Sequence, residues 1–395
     1  MNNVIIHNHT DVHFDRKREQ IYTIVREIHA SKEIGTLHVI CDDVGYKTPN
    51  FTTSGIYRLH GTVSVHNGGL QAWSIIVKVI KPESDEKNVT QHHNYWRREA
   101  LIFASDILEE LPNCIKVIKV PRCYLVEEQC DDTIWIWMEQ IEGTYATNMD
   151  QFFFIARQLG QWNGAYMTGY TALPQYDWLC QAWLKSWTTA SLKYAPDVET
   201  YINGTSNDQV RAMWIWYQNL IHKLDEMLHS LEQLPRVLAH QDLSQMNMFI
   251  VEGVNANSQL ALIDWQFMSI SGVGEDLGKL FGVNMSLGII QQEQYDEFQT
   301  TLYDSYLEGL RAVGWQGEEC LVRYGFCLSM ALRAVWEVPQ YVSLLAQLEK
   351  DPTNQQRIDR INRLQSIISI QQDMYTEVEF MRSELDVESI LQIDL

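Results

Sequence analysis

The stretch LAHQDLSQMNMFIVEG, residues 238–253, places a single aspartate, Asp242, in a short polar loop between two apolar segments. Asn247 follows five residues later, and the chain then returns at once to an apolar run that is typical of a strand. An ordinary turn would explain this loop. The catalytic loop of a phosphoryl-transfer enzyme would also explain it, because that chemistry needs a carboxylate and oxygen ligands close together. The two interpretations predict different features elsewhere in the chain.

A second strand-like run, residues 260–265, ends in Ile263-Asp264-Trp265. If it pairs with residues 248–253 as a hairpin, the fold-back brings Asp264 near Asn247 and Asp242. Three oxygen-bearing side chains then converge. Transfer of a γ-phosphoryl group needs such a set, because one carboxylate orients and deprotonates the attacking hydroxyl while oxygen ligands hold Mg²⁺. The hairpin therefore favours the phosphoryl-transfer interpretation.

A site rich in carboxylates must still hold a polyanionic nucleotide, so we expect a cation upstream of it. Lys78 lies inside SIIVKVI, residues 74–80, with apolar residues on both sides. A lysine in such a strand is rarely fully buried without a partner. Glu99, in the helix-like run WRREALIF, is the candidate partner. Taken alone, Lys78 is equally well explained as a snorkelling edge-strand lysine and Glu99 as a surface charge.

The hydrophobic pattern predicts the order of elements along the chain. Strands are predicted over 36–45, 55–65, 70–80, 121–128 and 133–140, with a hairpin turn at 66–69. Helices are predicted over 16–34, 94–111, 151–167 and 207–232, and residues 288–395 are predicted to be helical again. Three histidines near the N-terminus, His7, His9 and His13, are spaced as in a metal-binding cluster, but the sequence shows no further ligands beside them. We therefore expect a mobile polar N-terminus. The outline is a β-rich region followed by a larger helical region.

Composition limits the classes of function. The chain has 395 residues, enough for two lobes, and a net charge of −21, which argues against general nucleic-acid binding. No apolar run reaches about 18 residues, so we expect no membrane span. Seven cysteines without a Cys-x-x-Cys pair indicate free thiols and a cytoplasmic protein. Of the net charge, −18 lies after residue 138 and would attract a cationic partner, although solubility is the simpler explanation.

These motifs, in this order, resemble the aminoglycoside phosphotransferase and choline kinase superfamily of small-molecule kinases over roughly residues 36–285. The family's catalytic loop usually reads His-Gly-Asp-Leu-His-x-x-Asn, and residues 240–247 here read His-Gln-Asp-Leu-Ser-Gln-Met-Asn. Its metal strand ends in Ile-Asp-Trp, and an Asp-Leu follows, as Asp276-Leu277 does here. Gln241 stands where glycine is usual, and no Gly-x-Gly-x-x-Gly is present. These departures concern loop geometry and phosphate cradling more than the reacting groups.

The resemblance implies an α+β, bilobal, protein-kinase-like fold. A β-rich N-terminal nucleotide-binding lobe would cover residues 1–138, a hinge 139–143, and a larger, mainly helical C-terminal lobe 144–395 with the catalytic loop, the metal-binding hairpin and the substrate pocket. The implied cofactors are ATP and Mg²⁺.

The resemblance also assigns roles to individual residues. Asp242 would be catalytic and Asn247 and Asp264 would bind the metal, whereas His240 is better explained as structural. Lys78 with Glu99 would hold the phosphates, the backbone of Glu139 and Ile141 would face adenine, and Met138 would line the pocket.

The leading functional hypothesis is a kinase that phosphorylates a hydroxyl group of a small molecule. Acidic groups and tryptophans after residue 138 suggest a cationic alcohol, aminoglycoside-like or choline-like, with less charged sugars and amino-alcohols as alternatives. A protein kinase is disfavoured, because Ile-Asp-Trp replaces Asp-Phe-Gly and no Ala-Pro-Glu follows. A non-catalytic nucleotide-binding scaffold with the same fold is the alternative from another class.

Overall fold

The computed structural model describes residues 4–31, 33–45, 52–65, 69–109, 118–253 and 258–384. Its strands are β1 (Val4–Asn8), β2 (Ile34–Asp43), β3 (Thr53–Val65), β4 (Gly69–Ile80), β5 (Ile118–Lys119), β6 (Cys123–Glu128), β7 (Ile134–Glu139), β8 (Thr144–Tyr145), β9 (Arg236–Ala239), β10 (Met248–Glu252), β11 (Ser258–Leu262) and β12 (Ser269–Gly272).

The helices of the described residues are α1 (Arg18–Ile28), α2 (Arg98–Ala104), α3 (Met149–Met167), α4 (Trp183–Tyr194), α5 (Glu199–Gly204), α6 (Asp208–His222), α7 (Leu224–Glu232), α8 (Glu275–Ser286), α9 (Tyr295–Ala312), α10 (Glu319–Ala331), α11 (Ala334–Lys350) and α12 (Gln355–Glu384). None of these helices is long and apolar enough to cross a membrane.

The chain divides into two units. The first unit comprises Met1–Val89, Tyr95–Glu109 and Val120–Glu142, and the second comprises Thr90–Asn94, Glu110–Lys119 and Gly143–Leu395. The sequence did not indicate that two short segments before residue 120 group with the second unit. The lobe limits and the hinge inferred from the resemblance remain predictions.

A six-stranded sheet in the order β1-β2-β3-β4-β7-β6 forms the first unit. The central strands are antiparallel, and Lys78 on β4 pairs with Ile56 on β3 and with Ile136 on β7. One face packs on α1 through an apolar cluster that includes Val25, Leu37 and Trp137. Residues 46–51, between β2 and β3, lie outside the described residues, as do residues 66–68, which hold most of the predicted hairpin turn.

The N-terminal region differs from the prediction. Residues Val4–Asn8 form β1, which pairs in parallel with β2, and Phe14 is fully buried in the core, so the expectation of a mobile polar N-terminus was wrong. The predicted helix 16–34 was too long: α1 ends at Ile28, and Ala30 takes a left-handed φ of 46° before β2 begins. Burial of Phe14 and pairing along β2 together fix this segment.

The helix predicted over residues 94–111 is also shorter than expected. It is helical only over Arg98–Ala104, because Ser105 adopts an extended conformation that ends the helix. The retained helical turns still include Glu99 in the first turn. Residues 110–117 lie outside the described part of the chain.

The second unit is mainly helical. Helix α3 begins with a capping box formed by Asn148 and Gln151. It packs closely on α9, where a Cβ on Gly160 would collide with the Tyr306 carbonyl and one on Gly309 with the Arg157 carbonyl. The single helix predicted over residues 207–232 is two helices, α6 and α7, which meet at Lys223.

The predicted hairpin is present in the second unit. Strands β10 and β11 pair antiparallel, with Met248 opposite Leu262, and β8 and β5 extend them to a four-stranded sheet. The turn residues 254–257 lie outside the described residues. Strand β9, which leads into the loop of Asp242, pairs with β12. The loop and the hairpin therefore rest on two small sheets.

Candidate active site

In the first unit, Lys78 and Glu99 form a buried ion pair. The Nζ of Lys78 lies 2.5 Å from Oε2 of Glu99, and only 6% and 2% of the two side chains are exposed. Strand β4 supplies the lysine and the first turn of α2 supplies the glutamate. A buried charge pair of this kind is costly to desolvate and is held only by good geometry and further hydrogen bonds. The pairing predicted from the sequence is therefore present, and its role with phosphate remains a prediction.

The segment predicted to face adenine follows on β7. Met138 and Ile141 are buried, and Met138 lies opposite Ile76 on β4. The backbone N–H of Glu139 donates to the Arg122 carbonyl over 2.8 Å. That N–H is thus already used within the sheet, so an adenine contact at Glu139 would have to use its carbonyl oxygen.

In the second unit, the backbone of the loop after β9 is held by one buried carboxylate. The Oδ2 and Oδ1 of Asp276, at the start of α8, accept from the N–H groups of His240 and Gln241, each over 2.8 Å. Burial raises the pKa of Asp276 to about 6, although the two N–H donors act in the opposite direction. The Asp-Leu motif at 276–277 thus contributes the anchor of the loop.

His240 is engaged on both ring nitrogens. Its Nδ1 accepts from the N–H of Asp242 over 3.2 Å, and its Nε2 lies 3.0 Å from the Ile263 carbonyl. These contacts assign the proton to Nε2, which donates to the carbonyl. With both nitrogens used inside the loop and hairpin, the ring is placed for a structural role, in line with the interpretation from the sequence.

Gln241 adopts the left-handed conformation that its position requires, with φ of 59°. Such a φ is unfavourable for a residue with a side chain, which explains the family's usual glycine. Here the side chain compensates in part, because Nε2 donates to the Ser271 Oγ over 3.0 Å. This hydrogen bond and the contact of the Gln241 N–H with Asp276 hold the residue in its left-handed conformation.

The loop and the hairpin bring the side chains of Asp242 and Asn247 into contact and place the backbone of Asp264 near them. The Nδ2 of Asn247 donates to Oδ2 and to the backbone carbonyl of Asp242, both over 3.0 Å. The N–H of Ile263 donates to the Asn247 carbonyl over 3.1 Å, which places the next residue, Asp264, beside the end of the loop. Asp264 lies just beyond β11, with a left-handed φ of 62°, rather than within a strand as predicted.

The donor set fits a hard divalent ion better than a soft one. The amide oxygen of Asn247 and the carboxylate of Asp264 are the ligand types that Mg²⁺ prefers. In the described ranges no three or more His, Cys, Asp or Glu side chains are arranged for a metal ion. A site of this composition suits an ion that also takes oxygens from water and phosphate, as Mg²⁺ does.

Two residues near Asp242 were not identified from the sequence. Asn284 on α8 accepts from the Gln245 N–H over 2.9 Å and donates to the Leu243 carbonyl over 3.0 Å, so it fixes the middle of the loop. The Nζ of Lys279, also on α8, lies 3.4 Å from Oδ1 of Asp242. The only sign of them in the sequence was that both residues lie a few positions after Asp276, in the same helix.

The sequence was compared with models of known protein families. Residues 48–315 match the model of the ecdysteroid kinase-like family. The chain belongs to the ecdysteroid kinase-like family. Membership in this family confirms the predicted enzyme class, a small-molecule kinase. A search of curated protein sequences found no match.

Solved structures show the fold of this ecdysteroid kinase-like protein. A choline kinase from Cryptosporidium parvum Iowa II aligns with 15% identity and a TM-score of 0.51, over 94% of this chain and 99% of that one. The amicoumacin kinase hAmiN, in complex with AMP-PNP, Ca²⁺ and Ami, aligns with 15% identity and a TM-score of 0.50, over 92% and 96%. These likenesses confirm the predicted α+β, protein-kinase-like bilobal fold. Together with the family match, they confirm the resemblance to the superfamily of small-molecule kinases.

Proposed function

We propose that this ecdysteroid kinase-like protein uses ATP and Mg²⁺ to phosphorylate a hydroxyl group of a small molecule. The observation that carries the proposal is the cluster around Asp242: a carboxylate that accepts from Asn247 in a loop anchored by Asp276, with Asp264 at the end of the paired hairpin. The similar amicoumacin kinase, crystallised with AMP-PNP and Ca²⁺, supports a nucleotide and a divalent ion as partners.

Each of the proposed functional residues has a distinct task. Lys78, held in place by Glu99, would contact the nucleotide phosphates, and the carbonyl of Glu139, with Met138 and Ile141 beside it, would contact adenine. Asn247 and Asp264 would hold Mg²⁺, which, when bound, supplies positive charge against the phosphates.

The reaction needs little covalent chemistry from the protein. Asp242 would orient the acceptor hydroxyl and take its proton as the oxygen attacks the γ-phosphorus. The bond from that phosphorus to the bridging oxygen of ADP then breaks, and ADP leaves with the bonding electron pair. Positioning and charge therefore account for most of the expected acceleration.

The acceptor is proposed as a class. The family is named for ecdysteroid kinases, and the two similar structures are kinases of choline and of amicoumacin. The substrates in these names are small molecules that carry hydroxyl groups. We propose the cytosol as the compartment, because the six cysteines in the described part of the chain are all free thiols.

A phosphoryl-transfer assay tests the proposal. The purified full chain is incubated with radiolabelled ATP, Mg²⁺ and a panel of alcohols: sterols, sugars, amino-alcohols and aminoglycosides. Asp242→Asn keeps the shape of the side chain and removes its charge, and we expect kcat to fall by about 10²–10⁴-fold. Asp225→Asn, at an exposed position on α7, is the matched control and should retain activity.

Two results would contradict the proposal: no phosphorylation of any compound by the wild type, or full activity in Asp242→Asn. Thermal stabilisation by Mg²⁺ and AMP-PNP without turnover on the whole panel would support the nucleotide-binding scaffold instead.

A further inference from the structure

Lys279 is a largely buried lysine beside the proposed catalytic carboxylate. Its Nζ lies 3.4 Å from Oδ1 of Asp242, and 12% of its side chain is exposed. The other carboxylate oxygen, Oδ2, accepts from Asn247. Both oxygens of Asp242 therefore have a partner inside the second unit, one neutral and one charged.

Placing a lysine here is unfavourable for stability alone. Burial lowers the pKa of Lys279, and the guanidinium of Arg333 acts in the same direction, whereas Asp242 and Asp276 oppose it. The neighbouring helical residues Leu280 and Phe281 are fully buried and apolar. A residue that was buried here only for packing would be apolar too.

The other carboxylates near Lys279 have hydrogen-bond donors of their own. Asp276 accepts from two backbone N–H groups of the loop. Glu275 accepts from the N–H of Gly272, and Glu337 accepts from the side chain of Gln371. Asp242 is therefore the carboxylate that Lys279 serves most directly.

Two tryptophan rings near Lys279 are already in contact with cationic side chains of the protein. Lys279 lies 5.7 Å over the ring of Trp183, and Arg333 lies 5.7 Å over the ring of Trp187. The two rings stack with centroids 6.1 Å apart and planes inclined by 10°. Rings that would attract a cationic ligand thus hold two cations of the protein itself. A cationic acceptor that approached Asp242 from this side would meet like charge.

We propose that Lys279 is a positioning residue for Asp242 that also determines which acceptors are used: it holds the carboxylate toward the hydroxyl and disfavours cationic alcohols relative to uncharged ones. This inference rests on the proposed function and narrows its substrate class. It runs against the cationic acceptor suggested by the acidic composition, because Lys279 and Arg333 place positive charge close to Asp242 and oppose that attraction.

A matched pair of acceptors tests the inference. Choline and 3,3-dimethylbutan-1-ol have nearly the same shape and differ by one positive charge. Turnover of each is measured in the wild type, Lys279→Met and Lys279→Arg, together with transfer to water as slow ATP hydrolysis. Lys223→Met, which removes the partner of Glu379 elsewhere in the second unit, is the control.

We expect Lys279→Met to lower kcat for the uncharged alcohol and for water by about tenfold or more while the KM for ATP changes by less than about threefold. The ratio of kcat/KM for choline to that for the uncharged alcohol should rise by about tenfold. Lys279→Arg should restore most of both values, and Lys223→Met should resemble the wild type.

An unchanged kcat and acceptor ratio in Lys279→Met would overturn the inference, as would a loss of kcat that only follows a lowered Tm and that arginine does not restore. If neither compound is turned over or inhibits ATP hydrolysis in any variant, the selection of acceptors by charge is refuted. An active wild type with inactive Asp242→Asn and unaltered Lys279→Met would refute this inference alone. An inactive wild type would refute the proposed function and the inference with it.

Discussion

Two lysine–carboxylate pairs, one in each unit, show how differently the same chemistry is built. Lys78 and Glu99 join a strand to a helix at 2.5 Å, with both side chains almost fully buried. Lys279 and Asp242 join a helix to a loop at 3.4 Å, and 22% of the Asp242 side chain is exposed. The first pair is tight and enclosed, as suits a fixed support. The second is looser and reaches solvent, as suits the proposed role of Asp242 toward an acceptor.

The first pair gives the largest predicted effect. Lys78→Met leaves Glu99 charged and buried without its ammonium, so we expect the free energy of unfolding to fall by about 3–5 kcal/mol. Urea unfolding followed by tryptophan fluorescence measures the change. The double variant Lys78→Met/Glu99→Leu removes both charges and should recover most of the loss. A loss below about 1 kcal/mol in the single variant would mean that the pair is not the support we infer.

Asp276, which anchors the loop of Asp242, gives the next effect, and it depends on pH. Its pKa is about 6 in the folded state against an ordinary 3.8. Between these values the folded state binds more protons than the unfolded state, so the stability conferred by Asp276 falls as pH rises from about 4 to 6. The shift corresponds to about 3 kcal/mol. The difference in unfolding free energy between wild type and Asp276→Asn should therefore shrink by that order across this range.

Unfolding titrations of both proteins at pH 4, 5, 6 and 7 measure this dependence. A difference that stays constant with pH would show that Asp276 is ionised in the folded state throughout the range. Glu275, whose pKa burial raises to about 7, titrates in the same direction and is present in both proteins.

Asn284 tests how firmly the loop that holds Asp242, the carboxylate of the second pair, is fixed. Asn284→Leu leaves the Gln245 N–H and the Leu243 carbonyl without their partner, and we expect a loss of about 2 kcal/mol. Loss of loop geometry should lower kcat as well. Asn219→Leu, at an exposed position of α6, is the control. Wild-type kcat in Asn284→Leu would show that the loop holds its shape without this residue.

Lys279→Met should have the smallest effect on stability, below about 1 kcal/mol, because the cost of burying the ammonium disappears with it and the exposed part of Asp242 can be hydrated. Thermal and urea unfolding of the purified variant measure it. A loss as large as that of Lys78→Met would remove the contrast between the two pairs and make Lys279 a structural residue.

The sequence predicted the first pair but not the second, for a physical reason. Lys78 interrupts an apolar strand, and a lysine there needs a partner, so the local pattern itself is informative. Lys279 lies in a helix, where lysine is ordinary, and its partner is 37 residues away in the chain. The contact depends on how α8 packs beneath the loop, which no local pattern encodes.

The elements of the fold likewise divide into those that local sequence predicts and those that depend on contacts between distant segments. The hairpin β10–β11 was predictable from two apolar runs joined by polar residues, and the long central strands from their β-branched residues. The parallel pairing of β1 was not, because a five-residue strand in a polar stretch is stabilised by its partner β2. The break at Lys223 between α6 and α7 carries no glycine or proline to signal it.

The crossing of α3 and α9 helps to distinguish related chains that share only the fold from those that also share the reaction. Gly160 and Gly309 meet so closely that neither can acquire a methyl group unless the helices move apart. Asp242 is under no such steric demand. If Asp242 acts as proposed, a related chain that kept both glycines but replaced this aspartate would keep the helix packing and lose the phosphoryl transfer. The three positions together would then distinguish active relatives from inactive ones.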